Sequence, residues 1–288
     1  ALSISIQKVE NEIGMPLFNR DKKPLELTEA GQLYIEKIRQ IMHLENELSQ
    51  QLNDLTDLKT GQLRIGGSHY FNSYILPPVI ADFKKKWPGI DLELTEAGSY
   101  ELLTMLKDDL IDLTFNCTPD PHDKLRRIPG FQDTILLAVS TRFPANNCLT
   151  DAALTTSDIL SRRYQDSDCP AVTMEAFADT PFILLSPGNN LYSRSQSFFQ
   201  EAGVNPPTAM QVSQLVTAYH LAQAGIGATL ISDWMVTGKH PEMIYYKIAS
   251  PLAGRIFDIV TPGKNYLSNA QQAFISLFRK YYKTSFYP

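Results

Sequence analysis

The start of the chain has the apolar spacing of an amphipathic helix, followed by the pattern of a short hairpin. Residues 2–13 carry apolar side chains three or four positions apart: Leu2, Ile6, Val9 and Ile13. Gly14 predicts the end of this helix, because glycine tolerates the positive φ that follows a last helical turn. An apolar anchor over 15–18, a charged stretch over 19–24 and the alternating residues 25–27 then predict a charged two-stranded tip.

A long helix is predicted next. Thr28 is suited to cap it, and Glu29 places negative charge in its first turn. The pattern continues to about Leu58, which would make the helix roughly 45 Å long. Its apolar positions follow a heptad seam with a gap at Glu45: Tyr34, Ile38, Ile41, Leu48, Leu52 and Leu55.

This seam has two interpretations. It could pack on its own domain, but no neighbouring segment in the sequence offers a partner face. We therefore interpret it as an interface between chains and predict a homo-oligomer, either a homodimer or a homotetramer.

Strands alternate with helices after Thr60. The spacing predicts strands at 63–65, 90–94 and 111–115, with helices between them at 76–87 and 102–106. Strands that alternate with helices favour a parallel sheet covered by helices, so this half of the chain is predicted to be α/β.

A second unit of the same kind follows. It has predicted strands at 135–139, 182–185 and 228–231, and predicted helices at 191–202 and 214–224. The chain then ends with a strand at 256–260 and an amphipathic helix that carries Ala273, Leu277 and Tyr281. Residues 143–179 are polar and interrupted by proline, and we expect a surface excursion there with one short helix.

Composition limits the function classes. The net charge is -5, and residues 1–30 hold four basic side chains (Lys8, Arg20, Lys22 and Lys23) against five acidic ones, so a DNA partner has to be argued from motif and geometry. The three cysteines, Cys117, Cys148 and Cys169, are odd in number and lack metal-ligand spacing, which favours reduced thiols in the cytoplasm. No apolar run reaches membrane-spanning length, and no signal peptide opens the chain. Because the chain begins at Ala1 with a helix already under way, we expect its natural N-terminus to be missing.

The order of these parts resembles the LysR-type transcriptional regulators. Residues 1–14 are similar to that family's recognition helix, and residues 16–20 and 27–31 are similar to its wing and to the start of its linker helix. The sensing half is similar in pattern at 61–66, 76–78, Phe83, Pro88 and 225–227. The chain departs from the family in lacking the first helix and most of the second, in Asp109 where glycine is common, and in the length of 143–179.

The resemblance implies a partial winged helix-turn-helix and a long linker helix, followed by a two-lobed α/β effector domain like that of periplasmic binding proteins. The implied domains are 1–27, 28–60 and 61–288. Lobe I would hold about 61–130 and 253–288, and lobe II about 131–252.

The N-terminal part of a recognition helix contacts base edges in the major groove. Here that part consists of Ala1, Ser3, Ile4, Ser5 and Gln7, with Lys8 within reach of a phosphate. Arg20, Lys22 and Lys23 of the tip are suited to phosphates, which position a protein without reading sequence. A solvated turn is the alternative for these three charges. Ile4 and Ser5 stand where the family often has longer polar side chains, so the base contacts differ.

In the sensing half, ligands are expected at the carboxyl ends of parallel strands, near helix N-termini that favour anions. The candidate residues there are Ser68, His69, Tyr70, Ser99, Tyr100, Asn116, Thr118, Ser186, Asn189, Asn190, Ser213, Ser232 and Asp233. They predict a small, polar, acidic effector held between two lobes. For each serine or asparagine, an ordinary helix cap is the alternative. His69 is either a structural donor or a pH-sensitive partner of the ligand.

Two other classes of protein compete with a regulator. An enzyme is disfavoured, because the sequence has no phosphate-binding glycine loop, no nucleophile elbow, no metal-ligand cluster and no cofactor motif. A solute-binding protein would share the two-lobed sensor, but it would leave residues 1–58 without a purpose. The sequence therefore predicts a DNA-binding regulator of the cytoplasm that acts on double-stranded promoter DNA.

Overall fold

The computed structural model describes residues 2–54, 60–118, 122, 124–263 and 266–282. The chain divides into two units, Ala1–Asp57 and Leu58–Pro288. Across the described residues, no helix combines the length and the apolar character needed to cross a membrane.

The first unit is built from two helices and a small hairpin. Helix α1 (Leu2–Ile13) ends at Gly14, whose φ is 76°. Strand β1 (Phe18–Asn19) pairs antiparallel with β2 (Glu26–Leu27), which confirms the predicted two-stranded tip.

Helix α2 (Glu29–Asp54) follows the hairpin. The Thr28 hydroxyl accepts a hydrogen bond from the Gly31 amide at 3.0 Å and so caps this helix as predicted. At Gly31 a Cβ atom would lie 2.1 Å from the Leu17 carbonyl oxygen, so this close approach of the helix to the hairpin requires glycine. The predicted continuation of the helix over 55–58 lies outside the described residues.

Parallel strands open the second unit. Strand β3 (Gly61–Gly67) pairs in parallel with β4 (Ile90–Glu96) on one side and β5 (Leu113–Asn116) on the other. Helices α3 (Leu76–Lys86) and α4 (Ser99–Lys107) connect these strands, as the alternating pattern predicted. A π-helical turn, Phe71–Ile75, precedes α3.

Later in the chain, a further parallel pair forms between β8 (Phe182–Leu185) and β9 (Thr208–Val212). The other elements of this part are α6 (Asn190–Glu201), α7 (Leu215–Gln223), β10 (Thr229–Ser232) and β11 (Met243–Ile248). The sequence pattern predicted α6, α7, β8 and β10, whereas β9 and β11 were not predicted.

Two long antiparallel strands join these parts. Strand β6 (Arg126–Ser140) pairs along its first half with β12 (Gly254–Thr261) and along its second half with β10 and β11. Together with a short strand β7 (Ala171–Val172), they give an eight-stranded sheet in the order β4-β3-β5-β12-β6-β11-β7, with β10 also paired to β6. The predicted strand at 135–139 is therefore only the end of a 15-residue strand.

The segment 143–179 is packed against the rest of the unit. It contains the predicted short helix, α5 (Thr156–Leu160), and strand β7 (Ala171–Val172) with several 3-10 turns. Phe177 is fully buried, and its ring centroid lies 5.3 Å from that of Tyr246. The expectation of a surface excursion was wrong for these apolar side chains, because their isolated positions produce no periodic pattern.

Helix α8 (Asn269–Tyr282) closes the fold. It packs on α3 through Phe274 and Phe83, whose ring centroids are 5.5 Å apart. Phe131 on β6 and Phe257 on β12 stack beneath it at 5.4 Å. The C-terminal helix thus covers the core where the two long strands run side by side.

Candidate functional site

The predicted DNA-contacting residues of α1 lie on an exposed surface. Ser3, Ile4, Ser5, Gln7 and Lys8 are all exposed, and Ile4 keeps 73% of its accessible surface. The opposite side of the helix is partly covered, as shown by Ile6, Val9 and the buried Glu10. Ala1 lies outside the described residues. An exposed apolar side chain on a polar helical face is what contact with a thymine methyl group requires.

Glu10 holds this helix to the hairpin. One carboxylate oxygen accepts hydrogen bonds from the amides of Leu17 at 2.8 Å and Phe18 at 3.3 Å. The other oxygen accepts one from Arg20 at 2.6 Å. The Leu17 hydrogen bond is the main cause that lowers the pKa of Glu10 below its usual range. Glu10 was not a predicted site residue, because its partners are seven to ten residues away and no local pattern reports them.

The three predicted cations of the hairpin differ in their contacts. Arg20 is paired with Glu10, and Lys22 is paired with Glu26 at 2.7 Å, although more than half of each basic side chain is still exposed. Lys23 is exposed. All three charges therefore remain on the surface of the tip.

The structure brings together three of the predicted effector residues at the ends of β3 and β10. The Tyr70 hydroxyl lies 2.7 Å from the Ser232 hydroxyl, and the Ser232 hydroxyl donates to Asp233 at 3.2 Å. These side chains are buried, at 5%, 0% and 9% exposure respectively. Although Tyr70 is more than 160 residues from Ser232 and Asp233 in sequence, the order of the strands brings the three together at one point of the fold.

A buried ion pair lies next to them. Arg255 on β12 donates to both carboxylate oxygens of Asp133 on β6, and its Nε is 2.8 Å from Oδ1. Burial opposes the charge of Arg255, but the carboxylate of Asp133 outweighs it and raises the pKa of the guanidinium. The Tyr70 hydroxyl also donates to Asp133, at 3.3 Å. The pair therefore links both long strands to the end of β3.

Asp233 is held by the segment 143–179. The Tyr164 hydroxyl donates to one oxygen of Asp233 at 2.5 Å, and the Thr134 amide donates to the other at 3.0 Å. Burial, followed by the nearby charge of Asp133, raises the pKa of Asp233 to about 6. The buried cluster of Tyr70, Asp133, Tyr164, Asp233 and Arg255 is called the junction cluster below.

A second meeting point lies between β5 and α6. The Asn190 amide nitrogen donates to the Thr118 hydroxyl at 2.9 Å, so two predicted residues from the two α/β parts are in contact. The carbonyl oxygen of the same side chain accepts from Cys117 at 3.3 Å and from Nε of Arg194 at 3.1 Å. Asn116 supports this arrangement, since its side chain accepts from the Thr118 amide at 2.7 Å.

The remaining predicted residues make local contacts. Asn189 caps α6 by accepting from the Leu191 amide at 2.9 Å, and Ser186 donates to the Val212 carbonyl at 3.3 Å. His69 pairs with Glu96 at 3.0 Å on the surface. Ser68 accepts a hydrogen bond from the Phe71 amide at 3.5 Å, and Ser99 is the first residue of α4. Tyr100 and Ser213 are exposed. Ser213 was expected at a helix start, but α7 begins at Leu215 with Gln214 as its cap.

Four polar residues of these meeting points were not predicted: Asp133, Tyr164, Arg194 and Arg255. Their signal could have been noticed in part, because Asp133 and Arg255 interrupt apolar strands where an unpaired charge would be costly. Nothing in the local pattern around Tyr164 indicates a role, since its partner is 69 residues away.

Comparisons with known proteins agree for both units. A family model described as the LysR substrate binding domain matches residues 56–283, and one described as a bacterial regulatory helix-turn-helix protein of the lysR family matches residues 1–32. The HTH-type transcriptional regulator YcgK of Bacillus subtilis (strain 168) is 27% identical over 291 residues, covering 99% of this chain and 87% of that protein.

Two solved structures share the fold. Full-length CbnR complexed with its target DNA has a TM-score of 0.60 at 18% identity, over 96% of this chain and 88% of that one. The effector binding domain of QuiR in complex with shikimate has a TM-score of 0.61 at 16% identity, over 79% of this chain and 100% of that one.

Proposed function

We propose that this chain, which belongs to the LysR family of bacterial regulators, reads double-stranded promoter DNA with α1 and a small acidic effector with the second unit. It is a DNA-binding transcriptional regulator with an effector-binding domain. The family match favours this function over a solute-binding protein, since it includes the helix-turn-helix part. We propose that the regulator has no enzymatic activity and that it acts in the cytoplasm, where the chromosome is located.

The observation that carries the DNA-binding proposal is the fixed orientation of an exposed polar helix. Glu10 attaches the buried side of α1 to the hairpin, and the opposite side presents Ser3, Ile4, Ser5 and Gln7. Serine and glutamine hydrogen-bond to base edges, whereas isoleucine contacts the thymine methyl group. Lys8, Arg20, Lys22 and Lys23 would contact phosphates on either side. Full-length CbnR, which shares the fold, was solved with its target DNA.

The effector proposal rests on the two meeting points of the second unit. We propose that the effector binds where Thr118 faces Asn190 and where Tyr70 faces Ser232, between lobe I (about 61–130 and 253–288) and lobe II (about 131–252). Each of these contacts joins residues from the two lobes, so a ligand there would prefer one arrangement of the lobes over another. QuiR, which shares the fold, was solved with shikimate, a small acid.

We further propose a division into 1–27, 28–60 and 61–288, in which the middle segment joins two chains. Helix α2 exposes Ile41, Leu48 and Leu52 along the predicted seam, each with more than half of its surface in water. Apolar side chains repeated on one side of a 26-residue helix favour an intermolecular contact, so the regulator is a homo-oligomer.

The DNA-binding proposal is tested by selecting bound duplexes from a random library and repeating the selection with variants of α1. Gln7→Ala should relax the preference at one base position by about 1–3 kcal/mol, because it removes a base-edge contact. Lys8→Ala should weaken binding to all sequences and reduce the salt slope by about one. Lys37→Ala, an exposed lysine on α2, is the matched control and should bind as the parent does. A parent protein that selects no sequence, or a Gln7→Ala variant with unaltered preference, would contradict the proposed contact face.

A further inference from the structure

Arg194 on α6 has an unusual charge environment. It is half-buried, and that burial is the main cause that lowers the pKa of its guanidinium. Its Nε donates to Asn190 and its Nη1 donates to the Leu252 carbonyl. Both acceptors are neutral. Among the described residues, no carboxylate lies within ion-pair distance of Arg194.

The nearest charged groups do not neutralise it. Asp133 is close enough to favour the charge of Arg194, but both of its oxygens are occupied by Arg255. Arg255 itself adds a second positive charge to the same region and disfavours the charge of Arg194. The meeting point of Thr118 and Asn190 is therefore bordered by a guanidinium that lacks a counter-charge within the described part of the protein.

The free donors of Arg194 suit a particular kind of ligand. A guanidinium has five N–H groups in a planar fork, of which Nε–H and one Nη1–H are used here, leaving the Nη2 edge. A carboxylate or a phosphate matches that edge with two oxygens, and such charge-assisted pairs are stronger than neutral hydrogen bonds. The Thr118 hydroxyl and the Cys117 thiol meet the same Asn190 side chain, so polar groups already converge there.

We infer that Arg194 binds the anionic group of the effector, a carboxylate or phosphate, and makes the regulator selective for acids over their neutral analogues. This inference rests on the proposed effector cleft. In the alternative role, Arg194 is purely structural and only joins α6 to the turn before β12 through its hydrogen bond to the Leu252 carbonyl. In that role, Arg194 would contribute to stability, and replacing it would not change the effect of added anions on stability.

Anion-dependent stabilisation separates the two roles. The full chain is heated in phosphate, citrate or acetate at constant ionic strength, with chloride as the reference and acetamide as the neutral twin of acetate. The parent should be stabilised by at least one of the anions and not by acetamide. Arg194→Gln should weaken the apparent affinity for that anion about tenfold or more, whereas Arg194→Lys, which keeps a charge, should retain part of it.

The matched control is Arg142→Gln. Arg142 donates to the Ala224 carbonyl as Arg194 does to Leu252, but it makes no contact with Thr118, Asn190 or Cys117, and its variant should respond to anions as the parent does. Equal anion affinity in Arg194→Gln and the parent, equal response to acetamide and acetate, or no stabilisation of the parent by any anion overturns the inference.

A gel shift distinguishes this inference from the proposed function. Arg194→Gln should bind the selected DNA with parental affinity when no anion is added, because Arg194 belongs to the second unit. If the parent binds anions through Arg194 and selects no DNA, the regulator function fails while the anion site stands. If the parent selects DNA and the anion response does not depend on Arg194, only the anion site fails.

Discussion

Breaking the ion pair of the junction cluster should strongly destabilise the effector domain. Asp133 and Arg255 are 1% and 5% exposed, and their contact is bidentate. In Asp133→Asn the shape of the side chain is kept while the counter-charge of Arg255 is lost. Removing one partner of a buried pair costs about 3–5 kcal/mol, because the remaining charge is left without compensation.

That loss is large compared with the total stability of a domain, which is about 5–15 kcal/mol. With a urea slope of about 2–3 kcal/mol/M, the unfolding midpoint should fall by about 1–2.5 M. Both tryptophans, Trp87 and Trp234, belong to the second unit, so their fluorescence reports its unfolding. Trp234 follows directly after Asp233 of the cluster, and its amide donates to the Ser232 hydroxyl at 3.3 Å.

The control is Asp82→Asn. Asp82 pairs with Lys86 at 2.8 Å on the surface of α3, and exposed pairs of this kind contribute less than about 1 kcal/mol. The reasoning predicts a clear separation between the two variants, measured as free energies of unfolding at the same pH and salt. If Asp133→Asn loses no more than Asp82→Asn, the buried pair is not what holds β6 to β12.

Three further predictions concern other parts of the molecule. The pKa of Asp233 is raised to about 6 in the folded protein, against about 4 in an unfolded chain, so the folded state holds an extra proton between pH 4 and pH 6. The free energy of unfolding should therefore fall as the pH rises from 4 to 6 and should level off above pH 6. Urea midpoints of Asp233→Asn should show a smaller slope in that window, and an unchanged slope would reject the assignment. The pKa values of Asp109 and Asp258 are also raised, so these two carboxyl groups contribute to the slope that remains. The α2 pairing should dissociate in the double variant Leu48→Glu with Leu52→Glu, because charge is placed in the apolar seam. The control is Gln40→Glu with Gln50→Glu on the outer side of the helix, which should keep the pairing. Light scattering measures the mass of each variant, and equal masses would show that the seam is not the contact. At Asp109, where φ is 55°, Asp109→Val should lower the free energy of unfolding by about 1–3 kcal/mol and Asp109→Gly should not, so equal losses in urea unfolding would show that the backbone angle is not the cause.

The sequence predicted features that depend on near neighbours. The end of α1 at Gly14 and the Thr28 cap follow from side-chain chemistry within a few residues. The strand–helix alternation after Thr60 was visible for the same reason. The sequence did not predict the ion pair of Asp133 and Arg255. These residues are 122 positions apart and meet only because β6 and β12 are neighbours in the sheet.

The candidate effector residues likewise divide into those that contact distant parts of the chain and those whose contacts are local. Choosing polar residues after successive strands included Tyr70, Ser232, Thr118 and Asn190, which are in contact in pairs. The same rule also included Ser186, Asn189 and Ser213, whose contacts are local or with solvent. Whether a residue after a strand caps a helix or faces the other lobe depends on strand order, and β6 and β12 were not predicted to cross between the parts.

The position of β12 has a consequence for how the protein is made. This strand lies between β5 and β6 in the sheet, and α8, which follows it, covers α3. During synthesis, β3, β4 and β5 therefore leave the ribosome long before β12 is made. One edge of β5 stays unpaired until residues 254–261 have been synthesised. The residues of the first unit, 1–57, are synthesised much earlier. A message cut short before β12 would thus yield a chain that carries the first unit but in which β5 has no strand to pair with on that side.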